Sequence, residues 1–258
     1  MEEKIFIKNR KGQKVSILIE KSKNQKGLVF VMHGLGGRKN QPHIKAIVNP
    51  FKENNYAIIS FDTTNSYGES EGNFEDATVT NYYEDLEDVI NWAKFQEWYQ
   101  EPFCLVGHSI GSMCILLYTE KFPDKVKALA PISALVSGKL SLETKDSEGM
   151  DEWKEKGIKE WKSHSGFMKR LKWCHMEDRM KYDVLTESNK IKIPVILIVG
   201  EDDIATPLRH QQILYNSLNC KKEIHIIKEA DHNFRGDNEE KNLKKLSEIL
   251  NNWVKNLK

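Results

Sequence analysis

Hydrophobic and polar positions along this chain switch between two periods. Lys4–Lys8 and Val15–Glu20 alternate residue by residue around Asn9-Arg10-Lys11-Gly12, the pattern of an antiparallel hairpin at a sheet edge. Leu28-Val29-Phe30-Val31-Met32 is apolar throughout, as expected of a strand covered on both faces. Ile44, Ile47, Val48 and Phe51 then share one helical face, with Pro50 expected to kink or shorten that helix. Ala57–Asp62 reads as the next strand, and a loop rich in Ser, Gly and Glu runs to about Ala77. Val79, Tyr82, Leu86, Val89, Ile90 and Ala93 mark an amphipathic helix. Further strands are expected at Phe103–Val106, Val126–Ile132, Pro194–Gly200 and Glu223–Lys228. Helices are expected after Ser109, near Pro207, and along the stripe Leu243, Leu246, Leu250, Trp253 and Leu257.

Strands that alternate with helices predict an α/β domain, with helices on both faces of a mostly parallel sheet of about eight strands. Ligands of such sheets bind beyond the carboxyl ends of the strands. One stretch breaks the rhythm. Between Leu135 and about Lys192 no strand-like run appears, charges are dense, and large apolar residues stand at helical spacings. A helical cap inserted over 135–192 is therefore expected between the two parts of the α/β core, 1–134 and 193–258.

The chemistry gathers at strand ends. Phe103-Cys104-Leu105-Val106 leads into Gly107-His108-Ser109-Ile110-Gly111 and then into a helix, which is the G-x-S-x-G nucleophile elbow. A serine hydroxyl is a weak nucleophile unless it is exposed, oriented and paired with a base. The sharp turn supplies the first two conditions, and its strained backbone needs neighbours almost without side chains. Gly68-Glu69-Ser70-Glu71-Gly72 has the same five-residue spelling, but it lies between loop segments, and its glutamates would repel a developing oxyanion.

A base and an orienting acid must complete such a site. Of the eight histidines, His33 reads as a loop-shaping residue and His108 faces away from the nucleophile. His225 lies within a strand, and His43, His164, His175 and His210 fall on helices or in the cap. His232 alone sits in a loop just past a strand, where a general base reaches Ser109. Glu201, Asp202 and Asp203 follow the strand before it, and any of the three is placed to orient the imidazole.

Composition narrows the remaining classes. With 39 basic and 38 acidic residues the chain is nearly neutral, and its basic runs are interrupted, so neither a nucleic-acid partner nor a charged membrane surface is expected. No 18-residue apolar run is present, so no membrane span is expected. Met1-Glu2-Glu3-Lys4 does not read as a signal peptide. The cysteines Cys104, Cys114, Cys174 and Cys220 lack metal-ligand spacing, which fits reduced thiols in a cytoplasmic protein. His33-Gly34-Leu35-Gly36-Gly37 fails as a dinucleotide fingerprint because Lys39 stands where Gly or Ala is needed. No P-loop and no H-E-x-x-H occurs, so no cofactor and no metal are expected.

Taken together, the order Ser109, acid, His232, the His-Gly after the third strand and the inserted segment before the acid resemble the α/β-hydrolase superfamily over nearly the whole chain. Gly68–Phe74, the helix start at Thr78-Val79 and Ala230-Asp231-His232-Asn233-Phe234 are most similar to the bacterial cinnamoyl and feruloyl esterase branch. The resemblance implies that Asp203, three residues after Gly200 and four before Pro207, is the acid. It implies an oxyanion hole made of the backbone N–H groups of Leu35 and Ile110. The implied activity is a serine esterase that cleaves small-molecule carboxylic esters, short-chain or aromatic in the acyl part, through an acyl-enzyme on Ser109. Thioesterase, peptidase and acyltransferase activities share that intermediate and stay open, as does a non-catalytic binding protein of the same fold. Trp153, Trp161, Phe167 and Trp173 of the cap are candidate walls of the acyl pocket. A homodimer is left open.

Overall fold

A computed structural model describes residues 2–144, 149–163 and 166–257; His164 lies outside the described residues. In chain order the strands are β1 (Glu2–Lys8), β2 (Lys14–Glu20), β3 (Gly27–Met32), β4 (Tyr56–Phe61), β5 (Phe103–His108), β6 (Val126–Ile132), β7 (Ile158–Lys162), β8 (Met168–Lys172), β9 (Val195–Gly200) and β10 (Lys222–Ile227). The helices are α1 (Pro42–Glu53), α2 (Val79–Ala93), α3 (Ile110–Lys121), α4 (Met150–Lys156), α5 (Cys174–Arg179), α6 (Leu208–Ser217) and α7 (Glu239–Lys255).

Among the described residues the main sheet has the order β1-β2-β4-β3-β5-β6-β9-β10. β1 and β2 form the expected edge hairpin, β2 pairs antiparallel with β4, and every later pairing is parallel. Side chains of a strand alternate between faces, and the continuous apolar runs divide accordingly. Leu28, Phe30 and Met32 of β3 join Phe103 and Leu105 of β5 in one buried layer, against α2 and α3. Val29, Val31, Cys104 and Val106 join the opposite layer, against α1 and α7. The chain passes from β3 to β4 on one side, then crosses back to β5 on the other. The two loops beyond β3 and β5 therefore part at a topological switch point, where open α/β sheets place their ligands.

Two local expectations are refined. Pro50 lies inside α1, which ends soon after it at Glu53. The stretch between β6 and β9 is helical only in part. α4 and α5 flank an antiparallel hairpin, β7 with β8, in the register Ile158↔Lys172 to Lys162↔Met168. Most residues of this two-stranded ribbon keep contact with solvent on both faces. Its sequence therefore carries charges at six of ten positions and lacks the apolar run or clean alternation that marks a strand.

Candidate active site

The turn between β5 and α3 is strained at Ser109. Ser109 adopts φ 57° and ψ −120°, a backbone conformation that a side chain rarely enters. Crowding explains both glycines. A Cβ on Gly107 would stand 2.4 Å from the Gly111 carbonyl oxygen, and one on Gly111 would stand 2.6 Å from the His33 carbonyl oxygen. The serine backbone is tied down as well. Its N–H donates to the Ile132 carbonyl at 2.9 Å, and its carbonyl accepts from the Leu135 N–H at 3.2 Å.

The loops after β9 and β10 bring Asp203 and His232 to this serine. The His232 ring has Nδ1 2.9 Å from Asp203 Oδ2 and Nε2 3.0 Å from Ser109 Oγ. An ionised carboxylate only accepts, so Nδ1 carries the proton and donates to Asp203; Nε2 keeps its lone pair and accepts the serine hydroxyl. Asp203 is 3% exposed, whereas Asp202 is exposed to solvent. Asp203 Oδ1 accepts the N–H groups of Ala205 (3.0 Å) and Thr206 (2.8 Å), and the Thr206 hydroxyl lies 2.8 Å from Oδ2. Burial alone would raise this carboxyl's pKa. The hydrogen bond and charge of His232, with the Thr206 donors, outweigh it and hold Asp203 well below the usual carboxylate range.

The competing serine is engaged in structure. Ser70 Oγ donates to the Asp62 carbonyl at 2.6 Å and accepts the Ser16 N–H at 2.8 Å. His33 shapes the loop after β3: its Nδ1–H donates to the Gly34 carbonyl at 2.7 Å, and its Nε2 accepts the Thr63 N–H at 3.0 Å. In that loop the Gly36 N–H donates to the Tyr82 hydroxyl, while the Leu35 N–H has no acceptor among the described hydrogen bonds. The same holds for the Ile110 N–H, which opens α3, where helix geometry leaves the first amides unpaired. Both residues border the cleft above Ser109.

Four further side chains join the site without a motif or a strand end that points to them. The His108 Nε2–H donates to the His232 backbone carbonyl at 2.7 Å and so grips the loop after β10. His43 packs against His108 with ring centroids 4.6 Å apart. Burial keeps both rings neutral, with His43 pushed down to about 3. Thr206 stood within the acidic loop but was not singled out; its spacing of three from Asp203 was the available signal. His175 lies in α5, and its Nδ1–H donates to the Ala77 carbonyl at 2.9 Å.

The cleft over Ser109 has a volume of about 250 Å³. A second cavity of about 400 Å³ shares Leu35, His175 and Arg179 with it and is otherwise walled mainly by apolar side chains. Trp153 and Trp161 line this second cavity; Phe167 and Trp173 line neither space. Trp153 is fixed by its Nε1–H, which donates to the Leu171 carbonyl at 2.9 Å, and Trp173 packs edge-on against it at 5.5 Å. Phe167 is 47% exposed and meets the edge of Tyr67. The expected aromatic wall thus narrows to two of the four residues, because Phe167 and Trp173 turn to other contacts.

Comparison with known proteins gives a consistent likeness. A family model described as alpha/beta hydrolase fold matches residues 27–171, and one described as acetyl xylan esterase matches residues 174–249. Among solved structures, Est1E from Butyrivibrio proteoclasticus, with ferulic acid bound, superposes with a TM-score of 0.81 at 21% identity over 98% of each chain. Alpha/beta hydrolase domain-containing protein 10 from mouse gives 0.79 at 20% identity over 99% of this chain and 100% of its own. The esterase domain of a Rhodothermus marinus protein gives 0.72 at 17% identity over 98% of both. No curated protein matches the chain by sequence.

Proposed function

Because the chain belongs to the alpha/beta hydrolase fold family, we propose that it is a serine esterase that cleaves small-molecule carboxylic esters through an acyl-enzyme on Ser109. One observation carries this reading: a single imidazole lies 3.0 Å from the elbow hydroxyl and 2.9 Å from a buried carboxylate. In the first step His232 Nε2 takes the Ser109 proton as Oγ bonds to the ester carbonyl carbon. The negative charge moves to the carbonyl oxygen, between the Leu35 and Ile110 N–H groups. Losing one such donor typically costs about 3 kcal/mol of transition-state stabilisation. Collapse breaks the bond to the leaving oxygen, which takes the proton from His232 and departs as the alcohol. Water then repeats the sequence on the acyl-enzyme, with His232 again as base, and releases the acid. Asp203 holds the productive tautomer and stabilises the imidazolium throughout.

The stretch 135–192 acts as a cap in this reading, with 1–134 and 193–258 as the core. Lys169, His175 and Arg179 from that stretch border the cleft, which supports the assignment. The Trp153 and Trp161 cavity then receives the apolar part of a short or aromatic acyl group. Likeness to acetyl xylan esterase over 174–249 and to Est1E supports esters as the substrate class. All four cysteines are free thiols, which supports a reducing, cytoplasmic setting. Among the described residues no helix is long and apolar enough to cross a membrane.

The test is intact mass after fluorophosphonate treatment, compared between wild type and Ser109→Ala. One adduct on the wild type and none on the variant is expected. An unlabelled wild type would overturn the acyl-enzyme and leave a ligand-binding protein of the same fold.

A further inference from the structure

The cleft over Ser109 carries a charge that ester hydrolysis does not use. Lys169, Arg179 and Arg235 line it, and no Asp or Glu does among the described residues. Arg179 has an interaction of its own, so Lys169 and Arg235 decide the matter. Lys169 projects from β8, with its ammonium 5.2 Å from the Tyr67 ring centroid and 5.9 Å from that of Phe74. Arg235 follows the base by three residues; its backbone N–H donates to Asp231 Oδ1 at 2.8 Å, but its guanidinium has no carboxylate partner among the described residues. Nor does the Lys169 ammonium.

Other cations in the chain show what a compensated one looks like. Arg10 reaches Glu87 and Asp88, Lys39 reaches Asp62 and Glu69, and Arg170, the residue beside Lys169, reaches Glu160. The chain has 38 acids for 39 bases, so acidic partners are not scarce. Yet Lys169 is half-buried, and its pKa falls below the ordinary lysine value through burial and through the like charges of Arg235 and Arg38. Lys169 and the solvent-exposed Arg235 border one concave site with no Asp or Glu in its lining, which makes it a receptor for an anion. The guanidinium fork and the ammonium suit a carboxylate through charge-assisted hydrogen bonds.

We propose, on the footing that Ser109 is the acylated nucleophile, that the ester taken by this site bears a carboxylate, which Lys169 and Arg235 bind beside the reacting carbonyl. The apolar part of the same molecule enters the cavity of Trp153 and Trp161. The carboxylate sits either in the acyl half, as in a half-ester of a dicarboxylic acid, or in the alcohol half, as in an ester of a hydroxy acid.

Paired substrates distinguish these sources. Monomethyl glutarate is compared with methyl pentanoate for the acyl half, and 4-acetoxybutanoate with butyl acetate for the alcohol half, with kcat/KM measured for each. In one pair the anionic ester is expected to be favoured by at least about 10-fold, and the advantage to shrink as salt rises from about 0.02 to about 0.5 M. The double variant Lys169→Met/Arg235→Gln is expected to bring that ratio down to about 1, and Lys169→Arg to preserve most of it. Equal rates within both pairs, or a ratio unchanged in the double variant, would overturn the carboxylate subsite while fluorophosphonate labelling of Ser109 still stood. A wild type that takes no label and cleaves none of the four esters would overturn the acyl-enzyme reading, and the subsite with it.

Discussion

Asp202 and Asp203 are chain neighbours with opposite environments. Asp203 is buried, accepts two backbone N–H groups and receives the His232 Nδ1–H, while Asp202 faces solvent. Asp203→Asn is expected to lower kcat by about 10³–10⁴-fold, since an amide that offers its NH₂ to Nδ1 forces the proton onto Nε2 and removes the base. Asp202→Asn is expected to stay within about 2-fold, because nothing in the site touches it. Steady-state rates on an activated acetate ester check both, and a large loss for Asp202→Asn with little for Asp203→Asn would reverse the assignment. Ser109 and His232 were legible in the sequence because each sits just past a strand end, whereas the loop after the next-to-last strand left Glu201, Asp202 and Asp203 open until the α/β-hydrolase resemblance singled out Asp203. His108 was not legible as a support, since its bond runs to a backbone carbonyl 124 positions away and leaves no trace in composition or spacing.

At the scale of elements, the strand–turn–helix at the elbow is the least tolerant. A methyl group on Gly107 would meet backbone atoms of Gly111 and Ser112, which cannot swing aside as a side chain would. Gly107→Ala is expected to cost about 1–3 kcal/mol or more of stability and to abolish fluorophosphonate labelling even where the protein remains folded. Thermal denaturation together with intact mass separates the two effects; a labelled, fully stable variant would show that the elbow yields. The central strands were readable because burial on both faces demands unbroken apolar runs, and the residues of β3 and β5 do divide between two layers. The β7–β8 hairpin was not readable. Trp161 and Leu171 are the ribbon's inward apolar residues, too few among six charges to show a strand period, so its strand character lies mainly in backbone pairing.

For the whole molecule, buried ionisable groups set the response to pH. Burial lowers the pKa of His33, His43, His108 and His175, to about 3 for His43 and about 4 for His175. Below about 6.5 the unfolded chain therefore binds protons that the folded chain refuses, and stability falls as pH drops, by about 1.4 kcal/mol per pH unit for each histidine. Glu120 acts in the opposite sense. Burial raises it to about 8, so the folded chain keeps a proton that the unfolded chain releases above about 4.5, and stability falls as pH rises between those values. The lowered histidines, His210 among them, outweigh Glu120 and the likewise raised Asp85 below about 6.5 and fall silent above it, which places the expected stability maximum near that pH. Melting temperatures between pH 4.5 and 8.5 test this, with Glu120→Gln expected to flatten the decline on the alkaline side; a wild-type Tm that climbs from pH 7 to 8 would contradict it. Strand order at the switch point belongs to the same scale, and the alternation of strands and helices carried it far enough to place the site at the carboxyl edge. The hold of His108 on the His232 carbonyl has a mechanical consequence. Ser109 Oγ touches the ring of His232 while the adjoining residue grasps its main chain, so the two residues close a short loop of their own. Their spacing is gauged by that loop rather than by the 123 positions of chain that part them. Damage to the distant core is thus expected to register as lost melting temperature before it registers as lost turnover.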